Sequence, residues 1–318
     1  MIRPRPIRGG KTTVKSARPT VVCFGEVLWD CLPKGLFLGG APINAAYHLA
    51  RYGLDVLPVT AVGRDFLGDE ALRRVGNWGL DTKFVGRDAA HSTGVVTATL
   101  DSAGAATYEI KRNVAWDHIP VSSRLRRLHP PPAAIVHGTL ALRDVPNRRA
   151  LQSLFDAWPA ALRVVDLNFR PPFDTSSVTR FALENAQLVK LNDGELSKLT
   201  GESGRSMQSL ERGVKHLSAR WGVSRICVTA GDRGAGLWWE GEWFWEAARP
   251  VKVRDTVGAG DSFLGALLGS LLLKQARPAE ALVRACRLGE FVASCDGATP
   301  DYRLDGRGRP VAVAGDGR

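Results

Sequence analysis

The chain has 318 residues, 44% hydrophobic and 24% charged, a composition that is ordinary for a folded protein with a sizeable core. Its longest nearly apolar run, Phe263–Leu273, is too short to span a bilayer and is interrupted by glycine, so no membrane segment is expected. The formal net charge is +11, but no basic helix interleaved with aromatic residues stands out, which argues against specific nucleic-acid binding.

The N-terminal segment is strongly basic. Residues 1–18 carry six basic and no acidic side chains, and we expect residues 1–19 to form a disordered basic tail. No apolar stretch follows this tail, which argues against a signal peptide. The five cysteines are widely spaced and form no Cys-x-x-Cys motif. These features favour a reducing, cytoplasmic setting.

From Thr20 onward, short β-rich runs alternate with helical runs. The predicted strands are, in chain order, Val21–Phe24, Val56–Val62, Gly94–Leu100, Ala106–Ile110, Ala134–His137, Arg163–Asp166, Gln187–Lys190, Arg225–Thr229, Gly236–Trp239 and Glu242–Trp245. The predicted helices are Ala41–Tyr52, Phe66–Trp78, Asn147–Ala157, Ser177–Asn185, Met207–Trp221, Ala259–Lys274 and Ala279–Ser294. Residues 303–318 are rich in glycine and arginine, and we expect them to form a flexible C-terminal tail.

This alternation of strands and helices predicts a mostly parallel sheet that is covered by helices on both faces. Active sites in such sheets lie at the carboxyl ends of the strands. The hairpin predicted for residues 94–110 fits poorly into a parallel core. We therefore expect it to form a small extra sheet beside the main domain.

Three common signatures of other protein classes are missing. The segment Gly9–Thr12 is similar to the end of a P-loop, but Arg5 occupies the place of the leading glycine and no strand precedes it. No Gly-x-Gly-x-x-Gly motif follows a strand, which argues against a dinucleotide-binding enzyme. The six histidines do not cluster at metal-ligand spacing, which argues against a zinc site.

The segment Asp255–Phe263 combines two aspartates with small residues at the start of a predicted helix. Gly258, Ala259 and Gly260 let a ligand approach the backbone closely, and the free N–H groups of a helix start favour an anion. Asp261 lies in the same turn, where its carboxylate can accept a proton from an attacking hydroxyl. The alternative is a helix start that is merely stabilised by an acidic first turn.

This segment resembles the second signature of the ribokinase (PfkB) family of carbohydrate kinases, and Gly39–Ala46 resembles the first. The resemblance covers residues 20–302 and implies one kinase domain over that range. It implies a ribokinase-like three-layer α/β sandwich with a mostly parallel central sheet. A small β lid is expected near residues 94–117.

The resemblance also implies roles for the matching residues on the sugar side. Asp261 would be the catalytic base, and the amides of Gly258, Ala259 and Gly260 would form an anion hole. Close packing of a sugar against the backbone explains why glycines are needed beside it. The substrate-binding residues implied by the match are Asp30, Gly39, Gly40, Asn44, Asp255 and Arg170.

ATP is the co-substrate that the resemblance implies. The nucleotide-binding residues would be Lys190, Asn192, Thr229, Gly231 and Gly234. Asn192 and Glu195 match an Asn-x-x-Glu motif that organises Mg²⁺ and phosphate, largely through water, as suits a cation that keeps much of its hydration. Relatives hold K⁺ on backbone carbonyls, and the corresponding carbonyls here lie near Asp255, Val257 and Gly297.

A finer resemblance, to bacterial fructokinases, rests on Gly25–Asp30, Ala41-Pro42, Ala115–Asp117 and Lys190–Asp193. It implies ATP-dependent phosphorylation of a primary hydroxyl of a small carbohydrate, with fructose as the expected acceptor. Ribose, 2-keto-3-deoxygluconate and nucleosides stay open as acceptors, as does a non-catalytic sugar or nucleotide sensor on the same fold. The exposed face of a lid sheet also favours a homodimer.

Overall fold

The computed structural model describes residues 18–32, 35–100 and 106–313. Its strands are β1 (Thr20–Phe24), β2 (Leu28–Leu32), β3 (Gly35–Gly39), β4 (Asp55–Gly63), β5 (Val85–Asp88), β6 (Gly94–Leu100), β7 (Ala106–Ile110), β8 (Ala134–His137), β9 (Leu162–Asp166), β10 (Leu188–Asn192), β11 (Arg225–Thr229), β12 (Gly234–Trp239), β13 (Glu242–Ala247), β14 (Tyr302–Leu304) and β15 (Pro310–Ala312). Its α-helices are α1 (Ala41–Arg51), α2 (Phe66–Asn77), α3 (Ser123–Arg126), α4 (Val145–Ala157), α5 (Ser176–Glu184), α6 (Asp193–Thr200), α7 (Met207–Trp221), α8 (Ala259–Leu272) and α9 (Pro278–Ala293).

Nine strands form the central sheet, in the order β13-β12-β11-β10-β9-β8-β1-β4-β5. The strands from β11 to β5 pair in parallel, whereas β12 pairs antiparallel with both of its neighbours. The mostly parallel sheet predicted from the alternation of strands and helices is therefore confirmed. Among the described residues, no helix combines the length and the apolar character that crossing a bilayer requires.

Helices cover both faces of the central sheet. Successive residues of a strand point to opposite faces, so Val22 and Phe24 of β1 lie in a core formed with α4, α5 and α7. Val21 and Cys23 of the same strand lie in a core formed with α1, α2 and α8. Residues 21–24 of β1 are all apolar, as expected for a strand buried on both faces. The predicted three-layer sandwich is confirmed.

A second, smaller sheet of four strands has the order β3-β2-β6-β7; it contains the hairpin predicted for the lid and is called the lid sheet below. Its β6–β7 hairpin has the predicted bounds, but the sequence analysis missed β2 and β3. The polar Asp30 interrupts the apolar pattern of β2, and β3 begins and ends with glycine, which weakens a strand signal. The loop that leaves β1 therefore leads directly into the lid.

Residues 302–312 form a hairpin where the sequence analysis expected a flexible segment from Arg303 onward. Strand β14 pairs antiparallel with β15. The side chain of Tyr302 is fully buried, and its hydroxyl lies 3.0 Å from Nδ1 of His48 on α1. This contact joins distant parts of the chain, so local composition could not reveal it. The predicted N-terminal tail lies almost entirely outside the described residues, as do residues 314–318.

Candidate active site

The residues singled out from the sequence collect at the edge of the central sheet where the parallel strands end. Strands β9, β10 and β11 end at Asp166, Asn192 and Thr229. The start of α8 lies at the same edge, because a Cβ atom on Gly260 would lie 3.1 Å from Nζ of Lys190. This is the edge at which sheets of this topology bind ligands.

The first turn of α8 carries open backbone amides. Gly258 is the N-cap residue with φ 76°, and a side chain there would come within 2.5 Å of the Ala298 backbone, so the position requires glycine. The amide of Ala259 donates to the Thr256 carbonyl at 3.3 Å, whereas no described residue accepts from the amides of Gly258 and Gly260. Two of the three predicted anion-binding N–H groups are thus free, at the positive end of the helix dipole.

Asp261 faces Asn44 across the contact between α8 and α1. Nδ2 of Asn44 donates to Oδ2 of Asp261 at 2.9 Å, and both side chains are buried. The close approach depends on Gly265, because a Cβ atom there would lie 2.6 Å from Cβ of His48. Oδ1 of Asn44 has no hydrogen-bond partner among the described residues, which leaves an acceptor for a ligand hydroxyl. The two signatures of the sequence therefore meet through one hydrogen bond.

The surroundings of Asp261 favour its protonated form. Burial raises the pKa of Asp261 to about 6, and the charge of Asp166 acts in the same direction. The hydrogen bond from Asn44 and the charges of Lys190 and Arg170 lower this pKa, but by less. A carboxylate that titrates close to neutral pH is suited to proton transfer.

Gly39 and Gly40 precede α1. Gly39 lies against the side chain of Asp30, and Gly40 lies against the backbone of Glu26. A Cβ atom on Gly39 would lie 2.5 Å from Oδ2 of Asp30, and one on Gly40 would overlap the Glu26 carbonyl oxygen. Gly40 also has φ 113°, so a larger residue would be strained there. Burial raises the pKa of Asp30 to about 6, and Arg170 opposes this shift. These groups form a small, acceptor-rich surface beside Asn44 and Asp261.

Glu26 is a candidate site residue that the sequence analysis did not single out. It is 4% exposed, and its Oε2 atom has no hydrogen-bond partner among the described residues. Burial raises the pKa of Glu26 to about 7, against backbone amides and the charge of Arg170. Arg170 lowers the pKa of Glu26, Asp30 and Asp261 and therefore lies among these carboxylates. The available signal was the position of Glu26 within the segment Gly25–Asp30.

Lys190 is engaged with a carboxylate that the sequence analysis did not assign to the site. Its Nζ atom donates to Oδ1 and Oδ2 of Asp166 at 2.9 and 2.8 Å, and both side chains are buried. Burial disfavours the ammonium, but the charge and hydrogen bonds of Asp166 prevail, so the pKa of Lys190 is raised. The ammonium is therefore a fixed positive charge under Gly260.

Asn192 and Glu195 form a reciprocal cap at the start of α6. Oδ1 of Asn192 accepts from the Glu195 amide at 2.8 Å, and Oε2 of Glu195 accepts from the Asn192 amide at 2.8 Å. Oε1 of Glu195 accepts from the Phe169 amide at 2.7 Å, so this side chain also connects β10 with the loop after β9. Burial raises the pKa of Glu195. Among the described residues, no group of three or more His, Cys, Asp or Glu side chains is placed to hold a metal ion.

The predicted nucleotide loop follows β11. The hydroxyl of Thr229 makes one long hydrogen bond, 3.5 Å, to the Leu191 carbonyl, and Gly231 has φ 58° at the start of a 3-10 turn. Gly234 has φ 123°, and a side chain there would overlap the Glu246 carbonyl of β13. The pairing of β12 with β13 is therefore sufficient to explain the glycine at position 234.

Asp255 connects the loop before α8 to the loop after α9. Its Oδ1 atom accepts from the Val257 amide at 2.9 Å, and its Oδ2 atom accepts from the Gly297 amide at 3.3 Å. Gly297 has φ 75°. The three positions predicted to supply carbonyls for K⁺ are thus held together by this one side chain.

The sequence matches known proteins over most of its length. Residues 21–303 match the pfkB family carbohydrate kinases. A fructokinase from Klebsiella pneumoniae is 30% identical over 263 residues, which cover 78% of this chain and 83% of the relative. Fructokinase-1 from Oryza sativa subsp. japonica is 31% identical over 308 residues, which cover 88% of this chain and 93% of the relative.

Solved structures share the fold. A fructokinase from Xylella fastidiosa with bound ATP has a TM-score of 0.75 at 23% identity and covers 88% of this chain and 94% of its own. A Vibrio cholerae O395 fructokinase double mutant, in a fructose, ADP and potassium ion bound form, has a TM-score of 0.75 at 24% identity and coverages of 89% and 94%. The 2-dehydro-3-deoxygluconokinase from Thermotoga maritima has a TM-score of 0.76 at 18% identity and coverages of 88% and 95%. The family match over residues 21–303 and the two relatives at 30% and 31% identity establish that this chain belongs to the pfkB family of carbohydrate kinases and is a phosphotransferase that acts on a sugar.

Proposed function

We propose that the protein transfers the γ-phosphoryl group of ATP to a primary hydroxyl of a small carbohydrate, with fructose as the favoured acceptor. The observation that carries the proposal is the 2.9 Å hydrogen bond between Asn44 and Asp261. It joins the sugar-side signature to the anion-binding start of α8, so a sugar hydroxyl bound at Asn44 lies beside a buried carboxylate. The curated relatives that carry the name fructokinase favour fructose among the acceptors.

Asp261 is the base in the proposed reaction. It accepts the proton of the attacking hydroxyl, while the amides of Gly258 and Gly260 hold the transferred group at the positive end of α8. Lys190, fixed under the same turn, adds positive charge where negative charge spreads over the phosphoryl oxygens. Closure of the lid sheet excludes water from the site and limits hydrolysis of ATP.

The acceptor side of the site suits a polyhydroxylated ligand. Asp30 and Glu26 present carboxylate oxygens, and the free Oδ1 atom of Asn44 adds an amide acceptor. Sugar hydroxyls donate hydrogen bonds to such oxygens. The glycine pair at positions 39 and 40 lets the ring approach the backbone, and Arg170 balances the negative charge of the carboxylates.

Mg²⁺ fits this donor set as a hydrated ion. Both oxygens of Glu195 already accept backbone amides, and no three acidic or histidine side chains converge among the described residues. Glu195 and Asn192 would therefore hold the ion's water shell, with the phosphate oxygens as direct ligands. The bound ion would neutralise phosphate charge during transfer. K⁺ would be held by backbone carbonyls near Asp255, Val257 and Gly297, which lie in the two loops that Asp255 connects.

A coupled ADP-release assay with purified protein tests the proposal. The acceptors are fructose, ribose, 2-keto-3-deoxygluconate and a nucleoside, each with Mg²⁺ and ATP, with and without K⁺. We expect the highest kcat/KM with fructose, and phosphorus NMR of the product should show a phosphate ester on a primary hydroxyl. A higher kcat/KM for another acceptor would reassign the substrate and leave the reaction class intact.

Asp261→Asn is the matched control for this assay, since it keeps the shape and the hydrogen bond from Asn44. Because Asn cannot accept the proton, we expect kcat to fall by about 10²–10⁴-fold while the sugar still binds. Isothermal titration calorimetry with the sugar checks binding in this variant. Near-normal turnover would contradict the role of Asp261, and no turnover of any acceptor by the parent protein would favour the sensor.

The proposal includes a homodimer formed through the lid and a reducing, cytoplasmic setting. Strand β3 is an edge of the lid sheet, and its Leu36 and Phe37 side chains are 48% and 42% exposed. Apolar side chains on an edge strand favour pairing with another copy. All five cysteines are free thiols, which supports the reducing setting.

A further inference from the structure

A buried ion pair lies directly under the candidate anion site. Asp166, the last residue of β9, and Lys190, in the middle of β10, are register partners, and each is 5% exposed. Both oxygens of Asp166 accept from the ammonium. Burying two charges generally stabilises a fold no more than well-packed apolar residues would. Stability alone therefore does not account for this pair.

Gly260 leaves the space that the ammonium occupies. A Cβ atom at this position would lie 3.1 Å from Nζ of Lys190, closer than ordinary van der Waals contact, so a larger residue would displace Lys190. Gly260 thus offers a free amide on one side and admits a positive charge on the other. The next residue of the same turn is Asp261.

We propose that Asp166 is a positioning residue of the phosphoryl-transfer site: its carboxylate holds the Lys190 ammonium under the first turn of α8. The ion pair thereby sets the net charge next to Asp261. This inference rests on the proposed function of the same site. Without Lys190, the Asp166 carboxylate would face Asp261 unopposed. Without Asp166, the buried ammonium would act on Asp261 with its full charge.

The two members of the pair act on Asp261 in opposite directions. Asp166 raises the pKa of Asp261, and Lys190 lowers it. Asn44 is the neutral hydrogen-bond donor to the same carboxylate. The charged groups that act on Asp261 from the surrounding elements are Asp166 of β9, Lys190 of β10, Arg170 of the loop after β9 and Glu26 of the loop after β1.

The test uses the full-length protein and the variants Asp166→Asn, Lys190→Met and their combination. Carbon-13 NMR of the carboxyl groups reads the pKa of Asp261 directly, with its resonance assigned by its loss in Asp261→Asn. We expect Asp166→Asn to lower this pKa and Lys190→Met to raise it, each by about one unit. The low-pH side of the kcat/KM profile should move with it. Glu240→Gln is the control, since it removes a carboxylate paired with Arg225 at the amino end of β11, and it should leave the pKa of Asp261 unchanged.

An Asp261 pKa that stays constant in both single variants, or moves the same way in both, overturns the inference. If one single variant does not fold because its buried charge is unpaired, the other decides by the direction of its shift. The double variant removes both opposing charges, so its Asp261 pKa should lie between those of the two single variants, and a pKa outside that range again overturns the inference. The NMR titration reads Asp261 whether or not it is the base, whereas full activity of Asp261→Asn would overturn the proposed function instead.

Discussion

Burial raises the pKa of Asp261 to about 6, so this carboxyl group titrates just below neutral pH. Because only the deprotonated form can accept the proton of a hydroxyl, we expect kcat at saturating sugar to fall as the pH drops through about 6. Initial rates between about pH 4.5 and pH 8 would show this. A rate that stays constant down to about pH 4, the ordinary range of an aspartate, would contradict the raised pKa.

Because of the same burial, the ionised Asp261 side chain lowers the free energy of unfolding at neutral pH. Its folded-state pKa is raised above the ordinary value, so its contribution to stability is present in acid and is lost as the pH rises through about 6. Asp261→Asn removes the buried charge and keeps an acceptor for Asn44. We therefore expect the free energy of unfolding at neutral pH to rise by about 1–3 kcal/mol.

Urea unfolding followed by circular dichroism measures this gain in Asp261→Asn. The gain should vanish near pH 4, where the parent carboxyl is itself protonated in the folded state. A variant that is less stable than the parent at neutral pH would show that the carboxylate is not strained by burial. Active-site residues that reduce stability are common, because function and stability place different demands on one position.

At the scale of secondary structure, the site depends on how closely α1 and α8 approach. Gly265 and Gly269 of α8 face His48 of α1 and Tyr52, the residue that follows α1, and a side chain on either glycine would overlap its neighbour. The same helix contact brings Asn44 within hydrogen-bond distance of Asp261. Small residues at a helix crossing thus set the geometry of the site about one and two turns away from Asp261.

Gly265→Ala should therefore reduce both stability and turnover. A Cβ atom there would lie 2.6 Å from Cβ of His48, so the helices must separate, and we expect a loss of about 1–3 kcal/mol in the free energy of unfolding. We also expect kcat to fall more than the KM for the sugar rises, since the distance from Asn44 to Asp261 changes. Urea unfolding and initial rates on the same preparation measure both effects.

Gly76→Ala is the matched control for Gly265→Ala. Gly76 lies in α2, and nothing approaches within 4 Å of the position of its Cβ atom. The intrinsic preference of alanine for helices should raise the free energy of unfolding by about 0.5–1 kcal/mol without changing turnover. If both substitutions had the same effect on stability and turnover, the close α1–α8 contact would not determine either property.

For the whole molecule, the exposed lid edge predicts a dimer in solution. We expect sedimentation velocity to give the mass of two chains, and Phe37→Ser to shift the protein toward the monomer, because an apolar contact is removed from the edge of the lid sheet. Phe66→Ser is the control, since Phe66 is 79% exposed on α2 outside the lid, and it should leave the mass unchanged. A monomeric parent protein would refute the dimer.

The sequence predicted those parts of the molecule that local pattern determines. Strand β11 and helix α7 have the predicted bounds, because β11 contains a short unbroken apolar run and the apolar residues of α7 recur at helical spacing. The partner of Lys190 was not predictable, since Asp166 is 24 residues away and the two meet only through the order of strands. Gly234 matched a nucleotide loop, yet its backbone is explained by its approach to Glu246. Pairing between distant segments is the information that a single sequence does not display.

The hydrogen bond between Asn44 and Asp261 spans 217 residues of chain. Contacts of such long range form late in folding, because the loop between them must close first. In a refolding experiment, enzymatic activity should therefore recover later than the circular dichroism signal of the helices. A partly folded chain of this protein would be well structured by spectroscopy and still inert toward ATP and sugar.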